Sequence, residues 1–264
     1  MLYGGMANGS LNGSSPEQFR AIETQWRLVE LAHRGSAKSS GVARNALAVR
    51  YHKAIRSYLG ALLKDDSAAD ELAQDAIVRL LNGDFGVAAP EKGQFRKYLK
   101  EVLRNMARSH WEKRRRIATV AVDPDSLIAA VGNGPDAVWI DDWRSSVLQA
   151  AWDTLKEYEK TRPGNLFYTL FKLRSESPKS RSDELAARLA GQTGQKVTAA
   201  AARQSLRRAR FLFAQYLVDE VARSLHEPTP EMVEEELAEL GLIVYVRDFM
   251  PADWRTKGML HTND

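Results

Sequence analysis

The spacing of apolar residues constrains this chain most. Apolar residues recur at three- and four-residue intervals almost throughout, and no convincing strand alternation competes with that pattern. Such a period places the apolar side chains on one face of an α-helix. Segments rich in proline, glycine or serine interrupt it. The pattern predicts an all-α protein, with two helical domains joined by a flexible linker.

The interruptions predict where the segments begin and end. A leader rich in glycine, serine and asparagine is expected to be disordered, and the stretch after the first domain has Pro and Gly punctuation without an amphipathic period. The predicted segments are the leader 1–15, the first domain 16–116, the linker 117–138, the second domain 139–226 and an acidic extension 227–264. Within them, helices are expected at about 16–32, 42–63, 67–81, 94–116 and 230–240, and a helical group from 139 to 223 that breaks at TRPGN and SESPKSRS.

Composition excludes several classes of function. The chain has no cysteine and its five histidines are scattered, so we expect no metal and no cofactor. No apolar run approaches the roughly 18 residues that span a bilayer, and the start lacks the pattern of a signal peptide, so a cytoplasmic protein without membrane contact is expected. No HxE with PCxxC, no Walker loop and no carboxylate cluster flanked by histidine is present, which argues against an enzyme, for example one that flips and modifies bases.

Two amphipathic elements of opposite charge follow each other. In the first, ADELAQDAIVRLL from Ala69, an apolar stripe is accompanied by a second organised face of Glu71, Gln74, Asp75 and Val78. The second, GQFRKYLKEVLRNMARSHWEKRRR, ends a stretch from Lys92 with ten Lys or Arg and two Glu. Such a ladder of cations can neutralise phosphates, and its aromatic residues could stack on unpaired bases. Each face also has a plainer interpretation as a solvated or solubilising surface.

The stretch from Arg181 has the layout of a helix-turn-helix. Leu185, Ala186 and Leu189 pack the first helix, and Val197 plugs the turn. Thr198 caps a second helix whose apolar side is Ala202, Leu206, Ala209 and Phe213. Its opposite side carries Arg203, Arg207 and Arg210, as a helix entering a major groove requires. A simple helical hairpin with arginines in water is the alternative.

The acidic extension contrasts with the basic helix, because Glu231 to Glu239 contains five Glu and no cation. We favour a solvated helix that is packed by Met232, Leu237, Leu240 and Ile243. A sharper alternative is that this helix binds a regulator or shields a basic face of the same chain.

Together these segments resemble a bacterial RNA polymerase sigma factor of the extracytoplasmic-function (ECF) branch. The acidic element is similar to the family's AEDLVQETFLRLW type, the basic helix to FRxWLxxIARNxAxDHxRRRRR, and TAAAARQSLRRAR from Thr198 to SxxTVKSRLHRAR. TQWRLVELAHRG and ALAVRYHKAIRSYL further resemble the large ECF subgroup typified by Planctomycetes.

The resemblance implies partners and contact residues. Core RNA polymerase would be bound through its beta-prime clamp helices by Asp70, Glu71, Gln74 and Asp75. The −10 element of promoter DNA would be contacted by Phe95, Arg96, Tyr98, Arg104, Asn105, Arg108, His110 and Trp111. The −35 element would be contacted by Thr198, Arg203, Gln204, Arg207 and Arg208. An anti-sigma factor or another regulator is a further candidate partner. The rival interpretation is a helix-turn-helix regulator that is not a polymerase subunit.

Overall fold

The structure is a computed structural model that describes residues 37–82, 94–118, 132, 134–162, 164–226 and 228–249. The predicted leader, the predicted helix at 16–32 and most of the predicted linker lie outside these residues. The described residues are mostly helical and contain no strand, only one isolated antiparallel bridge between Gln94 and Leu225. The all-α prediction is therefore confirmed for the described residues.

The described residues form a succession of helices. Their bounds are α1 Ala37–Leu63, α2 Asp66–Asn82, α3 Phe95–Ala118, α4 Gly134–Thr161, α5 Phe167–Glu176, α6 Ser182–Thr193, α7 Ala199–Arg223, α8 Pro230–Glu239 and α9 Ile243–Val246, before a 3₁₀ turn at Arg247–Phe249. Both predicted breaks in the second helical group are confirmed, between α4 and α5 and between α5 and α6. Helix α4 begins earlier than expected, because Gly134–Val138 of the predicted linker is already helical.

An aromatic cluster holds α1, α3 and α4 together. Trp139 and Trp143 of α4 are fully buried beside Tyr51 and Tyr58 of α1. The rings of Tyr51 and Trp143 stack with their centroids 4.6 Å apart, and Phe95 of α3 lies 6.1 Å from Trp143. Burial of such large rings contributes more apolar area than any other side chains can. Helix α4 is thus fixed against the helices that precede it.

The same core continues into the last part of the chain. Buried residues from the second half of α7, including Leu217 and Val221, join the cluster built by α1, α3 and α4. The backbone N–H of Phe95 donates to the carbonyl of Ser224 at 3.2 Å, which ties the start of α3 to the end of α7. The two predicted domains are therefore packed on each other through one core, while the boundary between them stays a prediction.

A smaller core lies under α5, α6 and the first half of α7. It consists of Leu170, Leu173, Leu185, Ala186, Leu189, Ala202 and Leu206, with Val197 packed at its edge. The predicted buried positions of the helix-turn-helix are confirmed, as is the capping role of Thr198, whose side chain accepts from the N–H of Ala201 at 3.1 Å. Gly194 ends α6 in the left-handed conformation, with φ of 72°, a backbone angle that L side chains rarely adopt.

None of the helices in the described ranges is both long and apolar enough to cross a bilayer.

Candidate docking face and nucleic-acid interfaces

The acidic face of α2 points away from the core. Ala69, Ala73, Ala76 and Leu80 are buried, because α2 packs along α1 on that side. Glu71 and Gln74 are exposed on the opposite side, and Val78 beside them is 50% exposed. This face therefore presents one apolar side chain together with carboxylate and amide groups.

Two of the four predicted docking residues are already ion-paired within the chain. Asp70 accepts from Nε of Arg56 at 2.8 Å, and Asp75 accepts from Nε of Arg79 at 3.1 Å. These pairs are exposed and therefore weak, so a basic partner could compete for both carboxylates. Glu71 forms no ion pair with a described residue, which makes it the carboxylate most available to a partner.

Helix α3 turns its apolar stripe inward. Leu99 and Leu103 are fully buried, and Phe95, a predicted −10 contact, is only 1% exposed. Its ring lies 5.6 Å from that of Tyr51, inside the aromatic cluster. In this arrangement Phe95 fixes the position of α3 and offers no surface to a ligand.

Arg96, a predicted −10 contact, is buried and not exposed to solvent. It is 3% exposed, and its guanidinium makes a two-pronged ion pair with Glu236 of α8, with Nε–Oε1 at 2.7 Å and Nη2–Oε2 at 2.9 Å. The second acidic partner is Glu239, which also accepts from Nη2. Burial alone would lower the pKa of Arg96, but the bonds to Glu236 and Glu239 outweigh it and raise the pKa.

The next cations of α3 are paired as well. Lys97 donates to Glu239 at 2.9 Å, and Lys100 lies 3.3 Å from Asp136 of α4. Burial raises the pKa of Glu239, but the hydrogen bonds from Lys97 and Arg96 hold it below its ordinary value. The first two turns of the cationic ladder are thus neutralised by carboxylates from downstream helices.

The middle of α3 is more accessible. Arg104 is half-buried at 3.6 Å from Glu101, and exposed Asn105 accepts from Arg108 at 3.0 Å. The last part of the helix is the most basic, since Lys113, Arg114, Arg115 and Arg116 are all exposed. Arg114 donates to Asp65 at 3.1 Å, while Lys113, Arg115 and Arg116 present positive charge to solvent.

The aromatic −10 candidates lie at the edge of the core. Tyr98 is half-buried with its ring 6.5 Å from that of Phe95, and burial raises the pKa of its hydroxyl. Trp111 packs partly against the main core, and His110 has a buried Nε2 without a hydrogen-bond partner among the described residues. Only part of each ring is therefore available for stacking on a base.

The predicted −35 contacts of the helix-turn-helix lie on an exposed surface. Thr198, Arg203, Gln204, Arg207 and Arg208 are all exposed. Arg203, Arg207 and Arg208 form no ion pair with any residue in the described ranges. Ala202, Leu206 and Ala209 are buried on the opposite side of α7, so the arginines point outward. The structure brings these five residues together on one surface, separate from the candidates on α2 and α3.

The sequence did not identify Glu236 and Glu239 as the partners of Arg96, although shielding of a basic face by the acidic helix is the sharper of the two alternatives given for it. A signal was present, since a stretch of five Glu stands in the same chain as a stretch of ten Lys or Arg. Glu236 is 0% exposed, which corrects the prediction of a solvated helix for this segment. The predicted packing of Leu237 and Leu240 is confirmed, since both are fully buried. The acidic side of α8, however, is partly buried against α3.

These features define a helical protein with an outward acidic face and two basic surfaces. Residues 47–117 match the family Sigma-70 region 2, a stretch that holds every candidate on α2 and α3 and ends before the helix-turn-helix. Over these residues the chain is similar to sigma-70 proteins. No curated protein and no solved structure matches the chain.

Proposed function

We propose that the protein is a sigma factor of the ECF branch, in the large Planctomycetes-like subgroup, acting in the bacterial cytoplasm. The observation that carries the proposal is the Sigma-70 region 2 match, because it covers the acidic face and the basic helix together. A sigma-70 domain implies core RNA polymerase and promoter DNA as partners, and it points to a transcription factor without catalytic activity of its own. We propose in addition that the second helical segment serves as region 4.

Polymerase docking is assigned to the acidic face of α2. Its carboxylates and amide would meet the basic side of the beta-prime clamp helices, through Asp70, Glu71, Gln74 and Asp75. The exposed side chain of Val78 supports this assignment, since it supplies apolar contact in the middle of a charged surface. Arg56 and Arg79 would then release their carboxylates to the partner.

Opening of the −10 element is assigned to α3. Arg104, Arg108 and the exposed cations at its end would hold phosphates, while Tyr98, His110 and Trp111 would stack on unpaired bases and Asn105 would hydrogen-bond to one. Phe95 would contribute by orienting the helix. Arg96 belongs to the same surface but is held by Glu236 and Glu239, so its contact with DNA requires their release.

Reading of the −35 element is assigned to the first half of α7. Arg203 and Arg207 stand one helical turn apart on the exposed side and suit guanine edges in a major groove, with Gln204 beside them. Arg208 and Thr198 would contact the backbone. Base contacts specify a sequence whereas phosphate contacts position the protein, so the two arginines are expected to determine selectivity.

A helix-turn-helix regulator that does not join polymerase is the second candidate. The separate core beneath α5, α6 and α7 favours it, because a helix-turn-helix with exposed arginines on its second helix is suited to a major groove without a polymerase partner. It leaves the outward acidic face of α2 without a use. Binding to core polymerase therefore separates the two candidates.

The test reverses charge on the docking face. Glu71→Arg with Asp75→Arg is expected to weaken association with purified core polymerase more than about tenfold, because like charges opposed across an interface cost several kcal/mol. Biolayer interferometry with immobilised core polymerase measures it. The matched control, Asp153→Arg with Glu235→Arg, reverses two exposed charges on α4 and α8 and should bind as the unchanged protein does. Equal binding by the docking-face variant would remove this assignment.

A further inference from the structure

The acidic side of α8 occupies a surface that is suited to phosphates. We use the term C-terminal latch for Glu236 and Glu239. Together they bind Arg96 and Lys97, the first two cations of α3, through four carboxylate oxygens and four hydrogen bonds. A guanidinium that is met in parallel by two oxygens of one carboxylate has the same geometry as a guanidinium on a phosphate.

The latch is held in place by the opposite side of its helix. Val233, Leu237 and Leu240 are fully buried in the main core. Thr229 caps the start of α8 by accepting from the N–H of Met232 at 3.3 Å, and Arg144 donates to the carbonyl of Leu240 at its end. The carboxylates are therefore presented to α3 by a rigid element.

Occupation by carboxylates and by phosphates is mutually exclusive at this site. The side chain of Arg96 is 4% exposed and that of Glu236 is 0% exposed, so a phosphate oxygen has no route to the guanidinium while the pair is formed. Lys97 is half-exposed, yet it shares Glu239 with Arg96, and the two cations would be released together. The released cations would lie on the same helix as exposed Arg115 and Arg116.

We propose that the C-terminal latch is an intramolecular competitor of nucleic acid at the start of α3, so that the closed fold described above is a resting state with reduced affinity for DNA. The contrast with the helix-turn-helix supports this, because Arg203 and Arg207 have no such cover. A ligand can open the latch only if it binds the open form more tightly. The inference rests on the proposed function only in taking α3 as a nucleic-acid surface.

The first test removes the charge of the latch without changing its shape. Glu236→Gln with Glu239→Gln is expected to tighten binding of a fluorescein-labelled single-stranded oligonucleotide at least about tenfold, because a larger fraction of molecules is competent to bind. Fluorescence anisotropy measures the affinity without polymerase. Glu235→Gln with Asp153→Asn is the matched control, since it removes two charges from exposed positions of α8 and α4. An equal gain in both variants would reduce the effect to net charge and overturn the latch.

The second test closes the latch covalently. The chain has no cysteine, so Lys97→Cys with Glu239→Cys, in the Glu236→Gln background, reacts specifically with a bifunctional methanethiosulfonate that reductant cleaves. The crosslinked protein is expected to bind the oligonucleotide at least about tenfold more weakly than the same protein after cleavage. Equal binding in the two forms would overturn the proposal. Circular dichroism on each variant identifies a loss of fold.

These outcomes are distinguishable from failure of the sigma assignment. Oligonucleotide binding is measured without polymerase. If the latch variants change oligonucleotide affinity as proposed but the protein does not bind core polymerase, the latch is supported and the sigma assignment is removed. The converse result, polymerase association together with oligonucleotide affinities that do not respond to the latch, would remove this inference alone.

Discussion

The two basic surfaces of the molecule differ in what covers them. At the start of α3, Arg96 is buried between two carboxylates of α8, and Lys97 shares one of them. In the first half of α7, Arg203, Arg207 and Arg208 face solvent above a small core of their own. Similar runs of cations in one chain thus have opposite electrostatic surroundings.

The number of cations on a helix therefore does not by itself indicate a surface that can bind nucleic acid. Counterion release depends on cations that are free to exchange small ions for phosphates, and a buried ion pair has none to exchange. The helix-turn-helix surface is open in the closed fold, whereas that of α3 is open only beyond its first two turns. Variants that change one surface and leave the other intact can test this contrast.

The largest effect on the free energy of unfolding is expected at Arg96, which α8 covers at the start of α3. Arg96→Met leaves Glu236 charged and buried, which should lower the free energy of unfolding by about 3–5 kcal/mol. Urea denaturation measures it. Adding Glu236→Leu is expected to recover most of the loss, because no uncompensated charge then remains in the core. An Arg96→Met protein as stable as the parent would mean that the pair is not formed in solution.

A smaller effect on the free energy of unfolding is expected at Asp219, in the second half of α7. Burial, only partly offset by Arg223, raises the pKa of Asp219 from 3.8 to about 6. One oxygen of its carboxylate is buried without a hydrogen-bond partner among the described residues. A raised pKa favours the protonated form in the fold. This contribution to stability is therefore fully present below pH 3.8 and is lost as the pH rises through about 6.

Asp219→Asn tests this dependence. The substitution should stabilise the protein at pH 8 by on the order of 2 kcal/mol, and the gain should shrink as the pH falls to about 5. Thermal melts at both values measure it. Asp153→Asn removes an exposed carboxylate of α4 and should give no gain that depends on pH. A gain of the same size at both values would show that ionisation of Asp219 is not the cause.

The smallest effect on stability is expected at the open surface. Arg203→Ala with Arg207→Ala should change the free energy of unfolding by less than about 0.5 kcal/mol, because both side chains lie in solvent. Selection from a duplex library should nevertheless lose its enriched sequences, while affinity for random DNA falls less. Lys156→Ala with Lys172→Ala, which removes exposed cations from α4 and α5, is the control. Equal losses on enriched and random DNA would contradict base reading by these arginines.

Local structure was largely predictable from the sequence. The cap at Thr198, the buried side of α7 and the breaks at TRPGN and SESPKSRS each depend on a few neighbouring residues. Charge and period likewise predicted that Glu71, Gln74 and Arg203 face outward. Such features are specified within one or two helical turns, where residue type and spacing act directly.

Contacts distant in sequence were not predictable in the same way. Arg96 meets Glu236 across 140 positions, and nothing in the period of α3 distinguishes Arg96 from Arg104. The early start of α4 has a similar cause, because Trp139 and Trp143 are buried against α1 and hold the helix along it. Tertiary packing decides which polar residues on a helix are covered, and that packing is absent from a local pattern.

Run-off transcription with purified core polymerase and a promoter library tests the sigma assignment most directly. The assay includes the unchanged protein and the Glu236→Gln, Glu239→Gln variant, so that a closed latch does not conceal activity. We predict transcripts from a subset of promoters when either protein is added to core polymerase, with more from the variant. The account is contradicted if both folded proteins bind DNA yet neither yields a transcript above that of core polymerase alone.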